Sequence, residues 1–266
     1  MVLLKKQNVD ATTGSLLQKI IIYSIPLLLT TLIQQLFNAV DIIVLGNMAD
    51  TAAVASVAAT TSVISLIVTA FVGIATGTRV VLARFIGARD EKNIRAVTDT
   101  SLIGAVVLGV VIAVVGFIFA PWFLQITNCP PECYNGALIY VRIYVSAAPF
   151  ILLYNFGSAV MTADGDTQRP LYYIMIGGAT NVVLNIILCL ILPQKVIAVA
   201  TATVASQIIG AVLVFRRLTL TETICRVRIS NMRFSFSALG KVLASGLPMA
   251  FVHALSRCPI FRYSRQ

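Results

Sequence analysis

Long apolar stretches separated by short charged segments make up most of the sequence. Six stretches contain no Asp, Glu, Lys or Arg: Ile20–Val40, Thr51–Thr78, Thr100–Pro131, Ile143–Ala163, Pro170–Gln194 and Val196–Phe215. Each contains at least the roughly 20 residues that an α-helix needs to cross a bilayer. The third contains prolines at 121, 130 and 131, so it predicts one helix followed by a loop. None has the strict alternation of a barrel strand. The pattern predicts six transmembrane helices.

The composition supports the same interpretation. Hydrophobic residues make up 58% of the 266 residues, charged residues make up 11%, and the mean hydropathy is +0.92. A typical soluble domain is about 45–50% apolar and about 25% charged. A single soluble core of this length would leave much apolar surface in water. We therefore predict an all-α polytopic membrane protein built on a six-helix transmembrane bundle.

Lys and Arg are distributed unevenly between the two ends of the predicted spans. Arg142 and Lys195 fall on one side. The other side would hold Lys5, Lys6, Lys19, Arg79, Arg84, Arg89, Lys92, Arg95, Arg169, Arg216, Arg217, Arg226, Arg228, Arg233 and Lys241. Because cytoplasmic loops carry the excess of positive charge, we expect a multi-pass protein of the cell (inner) membrane with a cytoplasmic N-terminus. Contact with anionic lipid headgroups accounts for the net charge of +10, so we expect no nucleic-acid partner.

The sequence contains no combination of residues that indicates an enzyme. Its one histidine, His253, lies near the C-terminus, and the cysteines do not have zinc-ligand spacing. We therefore expect no catalytic residue, resident metal or cofactor. Cys129 and Cys133 in CPPEC allow either a disulfide or two separate thiols. GIATGTR (Gly73–Arg79) lacks the Gly-Lys-Ser/Thr of a phosphate loop, and it predicts a helix face of small residues that packs closely.

Asp41 is the polar residue least expected in an apolar membrane span. Asn38 and Gln34 precede it by three and seven residues, so the three share one helix face. The fifth span repeats this arrangement with Asn181 and Asn185. The fourth and sixth spans add Asn155, Thr201 and Thr203. Amides and hydroxyls in membranes are often interhelical hydrogen-bond partners. A carboxylate at the centre of a span costs about 2.5–3.5 kcal/mol and more often marks an ion or substrate pathway.

A short repeated motif predicts the domain organisation. KIIIYSIP (Lys19–Pro26) opens the first span, and KVLASGLP (Lys241–Pro248) follows the sixth. Internal repeats of a helical bundle are typical of secondary transporters. We predict a cytoplasmic N-terminus (1–19), a six-helix lobe (20–215), a basic cytoplasmic linker (216–240), a partial seventh helix that starts a second repeat (241–256) and an unrelated tail (257–266).

Several motifs together resemble the N-terminal half of multidrug and toxic compound extrusion (MATE) transporters. They are PLLLTTLIQQLFNAVDIIVLGNM, ATGTRVVLARFIGARDEKN, NFGSAVMTADGDTQRPLYY, GGATNVVLNIIL and AVATATVAS, between about residues 20 and 250. The resemblance implies a lobe of a protein with two six-helix lobes. It further implies export of cationic or amphipathic drugs by antiport with H⁺ or Na⁺. Asp41 corresponds to the family's first-span aspartate and would couple the ion. Gln34, Asn38, Asn155, Asn181, Asn185 and Thr201 would line the substrate or ion cavity.

The sequence also departs from the family pattern. Many microbial members carry an aspartate where this chain has Asn185, and relatives often have a tyrosine where it has Phe37. An amide does not titrate, so coupling would rest on Asp41 or on acids of a second lobe. Two alternatives stay open. One is a lipid or lipid-linked oligosaccharide flippase of the same superfamily, which would need a cationic cavity. The other is a truncated or frameshifted fragment that lacks the second lobe and does not transport.

The charge asymmetry makes a prediction about topology. The loops within Arg79–Arg95 and Thr162–Pro170 should be cytoplasmic, and Thr127–Gly136 should be external. In a variant without native cysteines, a membrane-impermeant thiol reagent applied to intact cells should label Asn135→Cys but not Arg89→Cys. The reverse labelling would contradict the orientation.

Overall fold

The described part of the chain consists of helices and their connections. The computed structural model describes residues 16–48, 51–127 and 129–257, so the predicted N-terminal segment (1–19) and tail (257–266) lie mostly outside it. The α-helices are α1 (Leu16–Met48), α2 (Thr51–Gly87), α3 (Glu91–Ile126), α4 (Pro131–Ser146), α5 (Ala148–Ala163), α6 (Gln168–Ile191), α7 (Lys195–Leu220) and α8 (Phe236–Arg257). A 3₁₀ turn, Ile229–Asn231, lies between α7 and α8. The predicted all-α membrane fold is confirmed.

The helices coincide with the predicted apolar stretches except at the fourth stretch. Among the described residues, four helices are long and apolar enough to cross a membrane, and the bent pair α4–α5 makes up to five. The second stretch, Thr51–Thr78, lies within the 37-residue α2. The number of six spans stays a prediction.

The fourth stretch does not form the single helix that starts at Ile143. The structure begins α4 at Pro131 and bends the chain by 47° before α5. Pro149 lies in the first turn of α5, where its missing N–H costs nothing, but its ring prevents α4 from continuing. The Ala147 N–H instead bonds to the carbonyl of Tyr144 at 3.0 Å. Arg142 therefore lies inside α4, 11 residues after Pro131, and not at the end of a span as the charge pattern suggested.

The basic segments meet at one end of the bundle. The linker between α7 and α8 crosses this end, with the Arg233 N–H bonded to Asp99 Oδ2 (3.4 Å) and the Ser235 N–H to Thr100 Oγ1 (3.0 Å) on α3. Lys241 Nζ lies 5.0 Å from the centre of the Phe85 ring on α2. This grouping agrees with the charge pattern, while the side of the membrane it occupies stays a prediction.

The opposite end contains the short connections after α3 and α6. Ser56 Oγ on α2 donates to the carbonyl of Cys133 at 3.0 Å, which holds the start of α4 against α2. Lys195 Nζ donates to the carbonyls of Cys189 (2.6 Å) and Leu192 (3.0 Å) and so caps the end of α6. Both Cys129 and Cys133 are free thiols in the structure.

Small residues bring α2 and α8 into backbone contact. A Cβ atom at Gly73 would lie 2.2 Å from the Cα of Ala250, and one at Gly77 would lie 2.5 Å from the Cα of Gly246. Gly73 and Gly77 are four residues apart, the spacing at which small residues let membrane helices approach closely. This confirms the small-residue face predicted for Gly73–Arg79. The two helices pack as tightly as their backbones allow.

This close packing makes a prediction about stability. Gly77→Ala places a methyl group against the α8 backbone and should destabilise the fold by about 1–3 kcal/mol, since α8 must move away. Gly104→Ala is the control, because a Cβ there meets no atom within 4 Å. Thermal unfolding of the purified variants in detergent would measure both. Equal midpoints for the two variants would contradict the contact.

Candidate functional site

Asp41 is buried between three helices. Its side chain is 6% exposed, although it follows a largely lipid-accessible part of α1. Asn185 on α6 donates from Nδ2 to Asp41 Oδ1 at 2.5 Å. Thr203 on α7 has its Oγ1 3.4 Å from Asp41 Oδ2. The carboxylate thus joins α1 to the α6–α7 pair.

A second set of hydrogen bonds closes the cluster. Asn185 Nδ2 also donates to Asn181 Oδ1 at 3.1 Å, one turn earlier on α6. Asn181 Nδ2 donates to Thr203 Oγ1 at 3.3 Å. These four residues, Asp41, Asn181, Asn185 and Thr203, form the candidate site and are called the Asp41 cluster below. All four are buried.

The sequence of α6 and α7 explains why their polar groups meet. Gly177 precedes Asn181 by four residues and so lies on the same helix face. A Cβ at Gly177 would lie 3.3 Å from the carbonyl oxygen of Ser206 on α7. The α7 face near the cluster also carries small buried residues, Ala200 and Ser206, which lie three residues before and three after Thr203. The two helices therefore approach closely enough for an Asn side chain of α6 to reach Thr203.

The cluster leaves hydrogen-bonding capacity unused. Thr203 has one hydroxyl hydrogen but lies within reach of two acceptors, Asp41 Oδ2 and the carbonyl of Val199 at 2.9 Å. Asn185 Oδ1 is buried and has no hydrogen-bond partner. A buried amide oxygen without a partner costs about 1–3 kcal/mol. An added cation or proton would supply the partner that Asn185 Oδ1 and one of the two acceptors near Thr203 lack.

The charge of Asp41 is not balanced by a basic residue. Its hydrogen-bond partners in the described residues are neutral amide and hydroxyl groups, and Asp41 forms no ion pair there. An isolated carboxylate is expensive in a low-dielectric environment. A bound proton or a monovalent cation would remove the net charge. The oxygen donors of the cluster suit a hard cation better than a soft one.

Two tyrosines belong to the surroundings of the site. Tyr140 and Tyr144 on α4 stack with ring centres 6.3 Å apart, and both are close enough for the charge of Asp41 to act on their hydroxyl groups. Tyr140 also contacts Thr203. The predicted fourth span began at Ile143, which left Tyr140 outside the membrane and Tyr144 inside it without its partner. Their spacing of four residues, one helical turn, was the available signal.

The other predicted site residues lie in different surroundings. Asn155 on α5 donates from Nδ2 to the carbonyl of Ile151 at 2.7 Å, within its own helix. Thr201 is exposed on α7, because two residues turn the helix by about 200° away from Thr203. Gln34 is half-buried on α1 and forms no hydrogen bond with the cluster among the described residues. Asn38 lies on α1, and its side chain is outside the described part of the structure.

The comparisons with known proteins agree on one family. The family model described as MatE matches residues 26–189. The chain is 29% identical over 169 residues to the "Probable multidrug resistance protein YoeA" of Bacillus subtilis (strain 168), a match that covers 64% of this chain and 36% of that relative. The chain therefore spans well under half the length of this relative.

Solved structures give the same result for the fold. A crystal structure of MATE in the bent conformation superposes with a TM-score of 0.84 and 26% identity, covering 92% of this chain and 55% of that one. A MOP superfamily transporter from Pyrococcus furiosus, whose binding pocket of reverse polarity is described as suggesting a different function, gives a TM-score of 0.84 and 25% identity. That match covers 94% of this chain and 55% of the other. The family model matches more than half of the chain, and the fold superposes on about half of each of these transporters. The chain therefore belongs to the MatE family.

Proposed function

We propose that this chain forms one lobe of an ion-coupled antiporter that exports cationic or amphipathic compounds. The observation that carries the proposal is the burial of Asp41 among neutral hydrogen-bond partners on α6 and α7. Family membership supports the transport of small molecules. The coupling ion, the direction of transport and the substrate class are part of the proposal.

The proposed cycle begins with neutralisation of Asp41. A proton or Na⁺ enters the Asp41 cluster and neutralises the carboxylate. The hydrogen bonds from Asn185 and Thr203 to Asp41 are then weaker and can rearrange. Because these bonds join α1 to α6 and α7, their rearrangement shifts α1 relative to the pair. A cationic substrate that depended on the carboxylate is released at the same step. A second lobe would close the central cleft and complete alternating access.

The cluster suits a single monovalent ion. Asp41 supplies one negative charge, and the carbonyl oxygens of Asn181 and Asn185 and the Thr203 hydroxyl are neutral oxygen donors. A proton would bind to the carboxylate alone, whereas Na⁺ would draw the amide oxygens inward. Reorienting the amide of Asn185 would turn its unpartnered Oδ1 toward such an ion. H⁺ and Na⁺ therefore differ in what they require of Asn185.

A lipid or oligosaccharide flippase is the alternative. Such a cargo carries phosphate, so the cavity that binds it should present Lys or Arg. The described surroundings of Asp41 consist of amide, hydroxyl, phenol and apolar groups. This composition favours a cationic or amphipathic substrate, and we propose a transporter without enzymatic activity.

The transport role of Asp41 is testable in a form of the protein that carries both lobes. Asp41→Asn keeps the shape and a hydrogen-bond acceptor but cannot titrate, so ion-driven efflux should fall at least about tenfold while membrane insertion persists. Asn47→Ala is the control, because Asn47 is exposed on the same helix and its amide donates to the Ile43 carbonyl within α1, so efflux should stay within about twofold. Drug accumulation in cells with matched membrane levels measures both. Efflux by Asp41→Asn equal to that of the wild type would make Asp41 a structural hydrogen-bond partner.

The ion itself is testable with the chain as it is. Asn185→Asp adds a second carboxylate beside Asp41. A nearby opposite charge changes the pKa of a carboxylate by about one to three units, which is a change of at least about tenfold in the equilibrium constant. A second carboxylate beside a bound Na⁺ should therefore raise the Na⁺ affinity by at least about tenfold. Radioactive Na⁺ binding to the purified wild type and variant, with Asp41→Asn as the blank, measures this.

An outcome with no Na⁺ binding in wild type and clear binding in Asn185→Asp would assign the native site to protons. Clear Na⁺ binding that is equally strong in Asp41→Asn and wild type would contradict the cluster as the ion site.

A further inference from the structure

A second unusual charge lies within the membrane-spanning part of the bundle, away from Asp41. Arg142 is 11 residues after the start of α4, about 16 Å along the helix axis. Its Cζ atom lies 4.9 Å from the centre of the Phe117 ring on α3. Phe117 is nine residues before the end of α3, about 13 Å along that axis. Both helices thus place the guanidinium well below the surface at the α3–α4 connection.

The guanidinium has no counter-charge from the protein. Its Nε is buried without a hydrogen-bond partner, and no carboxylate among the described residues forms an ion pair with it. The Phe117 ring supplies a cation–π contact, worth about 0.5–2 kcal/mol. This contact does not neutralise the charge. An arginine at this depth needs an anion, since the cost of a charged side chain in the hydrocarbon region is several kcal/mol.

The surroundings of Arg142 are exposed apolar side chains. Phe117 is 48% exposed, and its neighbours Ile118 and Phe119 are 63% and 49% exposed. On α4, Ile139 lies one turn before Arg142 and is also exposed. The two helices pack on the other side of this surface, where a Cβ at Gly116 would lie 3.2 Å from Val145. Arg142 therefore sits at the lipid-exposed edge of the α3–α4 contact.

We propose that Arg142 and Phe117 form a binding site for the phosphate of a phospholipid in the leaflet on the side of the α3–α4 connection. Helical side chains tilt toward the N-terminus of their helix, so the Arg142 side chain extends toward Pro131, and local thinning of the bilayer brings a phosphate inward to meet it. A lipid phosphate accepts charge-assisted hydrogen bonds from the outer nitrogens of the guanidinium, which balances the charge that the buried Nε shares. Phe117 holds the guanidinium plane in place. An anionic lipid is favoured over a zwitterionic one, because its headgroup carries no cation that competes with Arg142.

The planar guanidinium explains why arginine occupies this position. It can present two parallel N–H groups to phosphate and stack on an aromatic ring at the same time, whereas a lysine ammonium is a more strongly hydrated point charge. The site therefore depends on the shape of the cation as well as on its charge.

The single tryptophan of the chain allows a local test. Trp122→Phe combined with Ile139→Trp moves the fluorophore to the turn beside Arg142. The purified chain is reconstituted with phospholipids whose acyl chains are brominated, either phosphatidylglycerol or phosphatidylcholine, and bromine quenches the nearby tryptophan. The ratio of quenching gives the relative affinity of the two lipids at that position. We expect a preference for phosphatidylglycerol of about fivefold, which corresponds to ~1 kcal/mol for one cation near an anionic headgroup.

Matched variants separate this site from general effects. Adding Arg142→Met should reduce the preference to about one, and Arg142→Lys should reduce it in part. The native chain, with Trp122, is the positional control, because Trp122 lies about 140° around α3 from Phe117 and should show no preference. If Arg142→Met does not fold, Phe117→Leu should fold and lower the preference at least twofold.

Two results would overturn the proposal. One is an equal preference for phosphatidylglycerol in the Arg142→Met variant and its parent. The other is loss of the preference in the parent on addition of inorganic phosphate, which would assign the site to a free anion. We expect inorganic phosphate to have no effect.

Discussion

The burial of one carboxylate between α1 and the α6–α7 pair is the constraint on which the rest of this helical bundle depends. Asp41 is accepted there because Asn185 and Thr203 donate to it, and those donors are held by Asn181 and by close packing at Gly177. Each partner is neutral, so the carboxylate keeps an unbalanced charge. A stable but uncompensated acid is suited to exchange a proton or a cation. The same hydrogen bonds connect helices, so the ion binding proposed here would act directly on the arrangement of the helices.

Packing by small residues supports this arrangement elsewhere in the bundle. Gly73 and Gly77 bring α2 into backbone contact with α8, and Gly109 brings α3 against Pro149 at the start of α5. In a membrane, close van der Waals contact replaces the hydrophobic effect as the force between helices. The contact of α8 with α2 also shows that the helix after the basic linker packs onto the helices that precede it. The linker itself is held by the hydrogen bonds of Arg233 and Ser235 to α3.

The sequence was sufficient for the features that depend on periodicity and composition. Uncharged stretches of at least 20 residues predicted the membrane helices, and a carboxylate among apolar residues predicted Asp41 as a buried polar centre. The choice between Thr201 and Thr203 depended on the rotation of α7 relative to α6, which no single helix determines. The pair of Tyr140 and Tyr144 was missed because a predicted span that began at Ile143 separated the two residues. The rule of uncharged stretches stopped at Arg142, but the structure continues α4 past it to Pro131, because a lipid-facing arginine can remain within a membrane helix.

The central claim is that the carboxyl group of Asp41 exchanges between a free form and a form that holds a proton or cation. Infrared difference spectroscopy of the purified chain between acidic and alkaline buffer measures this directly. A protonated carboxyl group in a dry environment gives its own C=O stretching band. We predict one such band in the wild type that is absent in Asp41→Asn and unchanged in Asn155→Ala; if the site also takes Na⁺, that ion should suppress the band. A difference spectrum that is the same in wild type and Asp41→Asn would contradict the account.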